Sequence, residues 1–488
     1  MISRILLFAF CSFLILFPYF AEADLNLSLP KSSFIPGNGQ STLPTLGDPT
    51  TNTISSVQDA IMGQKFMEEL RHSMPILDDP IVTDYIQSLG HRLVGAAGTT
   101  HPFSFFVVNT ADINAFAGPG GYVAVNSGLI IITQDESELA SVMAHEIAHV
   151  INNDIAQKAA QAKRDKISML AAMIAGVAAG AATNNAELSS GAVTAGMGAM
   201  ITSELGFSRQ AEETADQVGI QILAHAGFDP SAMADFFGRL ANDEKFRLQP
   251  PAFASDHPLT ADRIAYTVSL ANQYPKMKDH SQLDYFLNRE RVRVELTRGP
   301  AILDYYRRAL TKSPNVAYLH YGYAIALLRE GQYQAAKTQI EPLIQSDPDQ
   351  WLYPMVLARI ELGSNQPEKA LAILDRLHGL YPEYYPLTLE YAYAQIRAKQ
   401  TKAAKQLLRD QLVSHPDDIA LYELLAKAYV NSNDDADAYL VRAQVLMLEG
   451  NPKKAQEQLE IALKTPNISP ETRQEVLALL KTLNKKTK

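Results

Sequence analysis

Four prolines in the C-terminal part of the chain, Pro314, Pro348, Pro382 and Pro416, recur every 34 residues. Ala336, Ala370 and Ala404 keep the same step, as do Ile340, Leu374 and Leu408. Each alanine stands four residues before its aliphatic partner, so the two share one face of a helix. Gly331 precedes the first alanine by five residues. A period of this length accommodates helix, tight turn and helix, with proline closing the unit where a helix cannot continue. Such a unit cannot bury its apolar face alone and must stack on its neighbours. Residues 300–484 are therefore expected to form an all-α solenoid with a concave groove, the kind of surface that binds segments of other proteins. The phase then slips. Gly450 and Ala455 repeat the glycine–alanine step, but Ala455 lies 51 residues after Ala404. An irregular unit between Ala426 and Gly450 and a capping helix near Glu471 to Leu483 are expected. Of the aromatic residues Tyr318, Tyr321, Trp351, Tyr353, Tyr381, Tyr384 and Tyr385, most belong to the core and a few to the groove.

At 488 residues the chain is too long for one core, so a second domain is expected upstream, over residues 57–290. Ile61, Phe66, Met67 and Leu70 have roughly helical spacing, and Asp79-Pro80 opens a second helix carrying Ile81, Tyr85, Ile86, Leu89 and Leu93. Phe103 to Val108 is short, apolar and bounded by loop residues, which predicts a strand. Asn114 to Val125 reads as strand, glycine turn, strand, and Ile130 to Thr133 is expected to extend the sheet. The upstream domain is thus α+β: mostly helical, with a small antiparallel sheet. An open edge at Asn114, Ala115, Phe116 and Ala117 would hold an extended peptide by backbone hydrogen bonds; the alternative is that these strands only pack a core.

The chemistry is concentrated at Met143-Ala144-His145-Glu146-Ile147-Ala148-His149-Val150. On a helix, His145 and His149 lie on one face and can bind one zinc ion. Glu146 is then placed to take a proton from water at the metal as general base. A zinc site with two histidines needs a third protein ligand, and a carboxylate on a second helix is a common solution. The helical segment 207–223 offers Glu212 and, one turn on, Asp216; Glu212 is the candidate ligand and Asp216 the candidate acceptor for the far nitrogen of a ligand histidine. His257 precedes Pro258, which restricts it to extended or loop backbone. It is a candidate to face the metal, with a purely local role as the alternative.

Arg4, the apolar run Ile5 to Phe17 and Ala21-Glu22-Ala23 read as an export signal over residues 1–23, cleaved after Ala23. The only cysteine, Cys11, would leave with it, so neither a disulfide framework nor a cysteine zinc site is possible. Residues 24–56 are rich in Pro, Gly, Ser, Thr and Asn and are expected to be a flexible arm. The expectation is an exported soluble protein, in a bacterial periplasm. A formal net charge of −10 provides no basic footprint for nucleic acid. Between Ala171 and Met200, sixteen of thirty residues are Ala or Gly. Their side chains fill little core, which leaves a close-packed hairpin, a lid or a surface making peripheral membrane contact.

His145-Glu146-x-x-His149, Glu212-x-x-x-Asp216, His257-Pro258 and Asn114-Ala115-Phe116-Ala117 together resemble the exported gluzincin zinc peptidases, here followed by tetratricopeptide repeats. The resemblance covers nearly the whole mature chain. It implies one zinc per chain held by His145, His149 and Glu212, with Glu146 as catalytic base. It also implies that His257 sits on a loop over the zinc, where it can act as a fourth ligand and restrain the enzyme. Further, it implies a periplasmic role in outer-membrane protein quality control: promoting assembly and degrading unfolded or misassembled outer-membrane proteins, with the repeats contacting the barrel-assembly machinery. Two other readings are a scaffold or chaperone that rarely uses its metal site, and a zinc hydrolase of another periplasmic substrate such as cell-wall peptide. Because the periodic half carries no candidate catalytic residue, a chain ending near Pro300 is expected to keep its zinc and basal chemistry but to lose productive engagement with its physiological partner.

Overall fold

The computed structural model describes residues 56–154, 208–243, 250–277 and 282–486. The expected export signal, all of the arm but its last residue, and the Ala/Gly-rich stretch 171–200 lie outside the described residues. Two helices open the described chain, α1 (Ser56–Ser73) and α2 (Pro80–Ala97). Asp79 caps α2: its Oδ1 accepts from the amides of Ile81 at 3.0 Å and Val82 at 3.3 Å, satisfying donors that the first turn leaves open. Val82, Ile86, Leu89 and Leu93 form the stripe that α2 buries.

Three strands follow among the described residues: β1 (Ser104–Val108), β2 (Ala115–Gly118) and β3 (Tyr122–Asn126), in the order β1-β3-β2. β2 and β3 pair antiparallel across a turn in which Gly120 and Gly121 have φ of 73° and 74°. β1, however, runs parallel to β3, so the sheet is mixed rather than wholly antiparallel. β3 takes the central place because Val123, Ala124 and Val125 are all fully buried, which suits a strand covered on both faces. This leaves β2 on an edge. The apolar run after β3 forms α3 (Ser127–Ile132) instead of a further strand. A short apolar run reads alike for a buried strand and a buried helix. The helix packs closely on the preceding loop, where a Cβ on Gly128 would lie 2.2 Å from the carbonyl oxygen of Ala111.

The upstream core is completed by α4 (Glu136–Ile151), α5 (Arg209–Ala226), α6 (Ala232–Asn242), α7 (Ala252–Asp256), α8 (Ala261–Ala271) and α9 (Leu283–Leu296). Every residue of α4 from Ser137 to Val150 is buried, with α2, α5, α6 and the sheet packed around it. A helix covered on all sides is a rigid platform for the side chains it carries.

After α10 (Pro300–Lys312) the chain forms helix pairs: α11 (Ala317–Arg329) with α12 (Tyr333–Ser346), α13 (Leu352–Gly363) with α14 (Pro367–Leu380), α15 (Tyr385–Arg397) with α16 (Thr401–Ser414), and α17 (Ile419–Asn431) with α18 (Asp435–Leu448). Each pair turns on one left-handed residue, Gly331, Asn365, Lys399 or Asn433, with φ of 70°, 57°, 59° and 60°. The 34-residue register thus runs on through Asn433, and the unit expected to be irregular between Ala426 and Gly450 is regular. The slip lies at Gly450, φ 74°. There α18 passes directly into α19 (Pro452–Lys464) through the tight turn that elsewhere joins the helices of one unit. The hydrogen bonds repeat as well: Asn451 N to Leu446 O at 2.8 Å matches Gln332 N to Leu327 O at 2.9 Å. Gly and Asn tolerate the left-handed conformation that this turn needs. α20 (Pro470–Lys486) closes the stack, as expected of a capping helix.

The two halves share α9. Tyr285 and Val292 enter the upstream core, whereas Leu287 and Val294 enter the repeat core, joined there by Ile81 of α2. Between these apolar contacts, Arg291 donates to Asp79 Oδ2 through Nε at 3.0 Å and Nη2 at 2.7 Å, and to the Tyr321 hydroxyl through Nη1 at 3.0 Å. All three residues are buried. Among the aromatic residues of the periodic half, Tyr321 and Tyr353 are core while Tyr381 is exposed.

Candidate metal centre

α4 begins at Asp135, whose Oδ1 accepts from the Glu138 amide at 2.8 Å while Glu138 Oε2 accepts from the Gln134 amide at 2.7 Å. These bonds start the helix nearly three turns before His145. His145 and His149 then present their rings one above the other. Their Nε2 atoms are 3.1 Å apart, and both rings are fully buried.

Glu212 arrives on α5, where Ser208 Oγ caps the helix by accepting from the Ala211 amide at 3.1 Å. The close crossing of α5 over α4 depends on Gly219. A Cβ at that position would lie 3.3 Å from the backbone nitrogen of His145 and 2.9 Å from Met233 Cε. Glu212 Oε1 lies 3.5 Å from His149 Nε2, and Oε2 lies 3.5 Å from His145 Nε2.

His257 follows directly on α7, and its amide donates to the Phe253 carbonyl at 2.8 Å. Its Nδ1 is 3.2 Å from His145 Nε2 and 2.9 Å from Glu212 Oε1. His145, His149, Glu212 and His257 thus form one buried cluster whose ligand atoms all lie within 4.8 Å of one another. Four tetrahedral ligand atoms at a metal–nitrogen distance of about 2.0–2.1 Å stand roughly 3.3 Å apart. Taken to the nearer Glu212 oxygen, separations of 2.9 to 3.5 Å among these donors lie close to that spacing, within a set that spans up to 4.8 Å. The donor set, three imidazole nitrogens and a carboxylate, therefore fits a metal in both chemistry and size. Glu146 is buried beside it; its Oε1 has no hydrogen-bond partner among the described residues and lies 3.4 Å from His257 Nε2.

An outer set of residues holds these donors. Asp216 Oδ1 is 3.0 Å from His145 Nδ1. Two residues not anticipated from the sequence complete the set. Asp154 Oδ2 is 2.8 Å from His149 Nδ1. Arg263 clamps two carboxylates at once, donating to Asp216 through Nε at 2.6 Å and Nη2 at 2.8 Å, with Nη1 2.6 Å from Glu212 Oε2. Arg263 ends the stretch that begins with His257-Pro258, but nothing local in that stretch marks its target. Phe237 and Phe253 pack edge-on to His145 and form an apolar wall.

Electrostatics follow from this crowding. Burial disfavours a charged His145 ring, but the Asp216 and Glu212 carboxylates outweigh it and push the pKa up to about 9. Burial likewise opposes a charged Glu212, yet hydrogen bonds from His145, His149 and His257 hold its carboxyl far below the usual range. For Asp216, burial is again outweighed, here by Arg263 and His145. These groups favour the ionised carboxylates that a metal needs, while protons compete for the imidazoles.

The edge strand lies next to this cluster. Phe253 N donates to the Ile113 carbonyl at 3.0 Å, and Asn114 Nδ2 donates to Asp256 Oδ2 at 3.0 Å. The His257 segment is thereby tied to the start of β2. Ala115 is buried, whereas Phe116 and Ala117 are part-exposed on the edge.

Comparison with known proteins agrees with this architecture. The model of peptidase family M48 matches residues 80–270, and a tetratricopeptide repeat model matches 300–360 and 361–428. The beta-barrel assembly-enhancing protease of Escherichia coli (strain K12) is 31% identical over 422 residues, 85% of each chain. A relative in Vibrio cholerae is 33% identical over 447 residues, 90% of this chain and 91% of its own. A mitochondrial metalloendopeptidase of Schizosaccharomyces pombe is 30% identical over 184 residues, 37% of this chain and 51% of its own. Because the first two likenesses run through both halves of the chain, it belongs to the beta-barrel assembly-enhancing proteases, metalloendopeptidases of family M48 with tetratricopeptide repeats.

Proposed function

We propose that this chain is a periplasmic zinc endopeptidase that both promotes the assembly of outer-membrane barrel proteins and degrades those that misassemble. The observation that carries the metal reading is the convergence of three histidines and a carboxylate in one buried cluster. His145, His149 and Glu212 are the resident ligands and Glu146 is the base. When bound, zinc supplies Lewis-acid polarisation of the scissile carbonyl and lowers the pKa of water toward neutrality. Glu146 takes the water's proton and hands it to the leaving amine. Asp216 and Arg263 hold the ligands in place throughout. An extended segment of an unfolded chain lies along the edge from Asn114 to Ala117, at the start of β2, which accepts backbone partners without demanding a sequence. The division of labour follows the chain: residues 57–290 carry the chemistry and residues 300–484 recruit the barrel-assembly machinery. The repeats lack a candidate catalytic residue and belong to a class of stacked units that binds protein segments.

Metal analysis tests the ligand set. Glu212→Ala is expected to purify with little zinc, whereas full zinc occupancy would show that another residue is the third ligand.

In this reading His257 is a restraint. A neutral imidazole at the fourth position closes a catalytic site, which otherwise keeps one position open. The ties from Phe253 to Ile113 and from Asp256 to Asn114 hold the same segment against the start of β2. Moving His257 would therefore free the metal and the substrate edge together. His257→Ala is expected to keep its zinc and to cleave an unfolded substrate, and itself, faster than wild type; adding Glu146→Gln should remove that gain. A zinc-replete His257→Ala with slower cleavage would instead make His257 a transition-state stabiliser.

A further inference from the structure

We propose that Asp154 is a positioning residue that sets the tautomer and the orientation of His149. The inference rests on the reading of His149 as a metal ligand. The carboxylate stands 2.8 Å from His149 Nδ1, and both side chains are buried. Helix geometry alone does not bring them together, since residues five apart on a helix point to different faces. The chain has to leave the helix. Asn152 ends α4, its amide donating to Ala148 O at 2.9 Å, and Asn153 takes a left-handed conformation with φ 58°. That single reversal folds Asp154 back beneath the ring.

Asp154 stands just past the turn that ends α4, and the His149 imidazole is the hydrogen-bond partner its carboxylate finds there. A neutral ring carries one proton; when Asp154 holds it at Nδ1, the Nε2 lone pair faces the other donors. Asp216 also stands 3.0 Å from His145 Nδ1, without the hydrogen-bond geometry that Asp154 has to His149. Each ligand on the histidine helix thus has its own carboxylate. One comes from a distant helix and the other from the turn five residues downstream. The sequence His149-Val150-Ile151-Asn152-Asn153-Asp154 is a self-contained ligand-and-orienter unit.

The test is zinc affinity of the full-length protein, measured by competition with a chromogenic chelator at fixed neutral pH. Asp154→Asn keeps the shape but cannot hold the Nδ1 proton as a charged acceptor, and is expected to bind zinc roughly 10–100-fold more weakly. A second pair moves the carboxylate without removing it. Asn153→Gly retains the left-handed turn and is expected to bind like wild type. Asn153→Val disfavours that turn and should weaken zinc as Asp154→Asn does. This pair decides the matter even if Asp154→Asn fails to fold. Wild-type affinity in Asp154→Asn, or equal affinity in the two Asn153 variants, overturns the proposal. His149→Ala serves as the control: retention of wild-type affinity there would overturn the ligand reading itself, whereas its loss beside an unaffected Asp154→Asn would overturn only the role of Asp154.

Discussion

Glu146→Gln is expected to lower kcat for peptide cleavage by about 10²–10⁴-fold while leaving the zinc in place. Glutamine matches the shape of the buried Glu146 but cannot accept a proton from water. The metal should remain because Glu146 stands outside the cluster formed by His145, His149, Glu212 and His257. Elemental analysis and single-turnover cleavage of an unfolded substrate, run on the same preparation, check both halves of the expectation. Loss of zinc would make Glu146 part of the ligand shell, and near-normal turnover would require another base. The same variant separates enzyme from scaffold in a cell lacking the wild-type gene. Full rescue of outer-membrane protein assembly by zinc-replete but inactive protein would assign assembly to the scaffold and leave degradation as a separate task.

Arg291→Met should destabilise the fold by about 3–5 kcal/mol, because it strands Asp79 as a buried charge without its partner. Burial raises the Asp79 pKa, but Arg291 more than compensates and holds it below the ordinary value of 3.8. A carboxyl whose pKa is lowered on folding contributes stability above its unfolded pKa, and that contribution is lost as pH falls through the folded value. Denaturant unfolding of wild type should therefore weaken through the region below pH 3.8 in part from this site. The double variant Asp79→Asn with Arg291→Met should recover much of the loss at neutral pH and show less of that acid dependence. A change under about 1 kcal/mol in Arg291→Met would mean that the pair contributes little. The same contacts revise the expectation that a chain ending near Pro300 keeps its zinc unaided. Such a cut removes Tyr321 from Arg291 and uncovers Ile81, Leu287 and Val294, which are buried with the repeats. Exposed apolar surface of this kind weakens the fold that carries the candidate ligands.

Much of this protein was legible without coordinates. The spacing of His145 and His149 suffices to put two imidazoles on one helical face, because helix geometry is local. The 34-residue period suffices to specify a stack of helix pairs, because each unit repeats the same burial problem. Left-handed turn residues were harder to read: Lys399 and Asn433 do the work of Gly331, so the continuing register lay behind changing residue types. Local pattern also misled where a short apolar run was ambiguous, as at Ile130 to Thr133, and where pairing depended on which strand was buried on both faces, as in β3.

The tertiary structure alone decided which distant groups meet. Glu212 reaches the histidines because Gly219 lets α5 cross close to α4, and His257 reaches them because its segment is tied to the start of β2. Arg263 finds Glu212 and Asp216 across a helix interface, and Asp154 finds His149 through one left-handed residue. Asp79 and Arg291, 212 positions apart, join the two halves through a buried ion pair. Short-range spacing is set by backbone geometry that every helix shares, so a single sequence reveals it. Contacts between separate elements depend on packing that minimises voids and satisfies buried charge across the whole core, and no local stretch of sequence contains that sum.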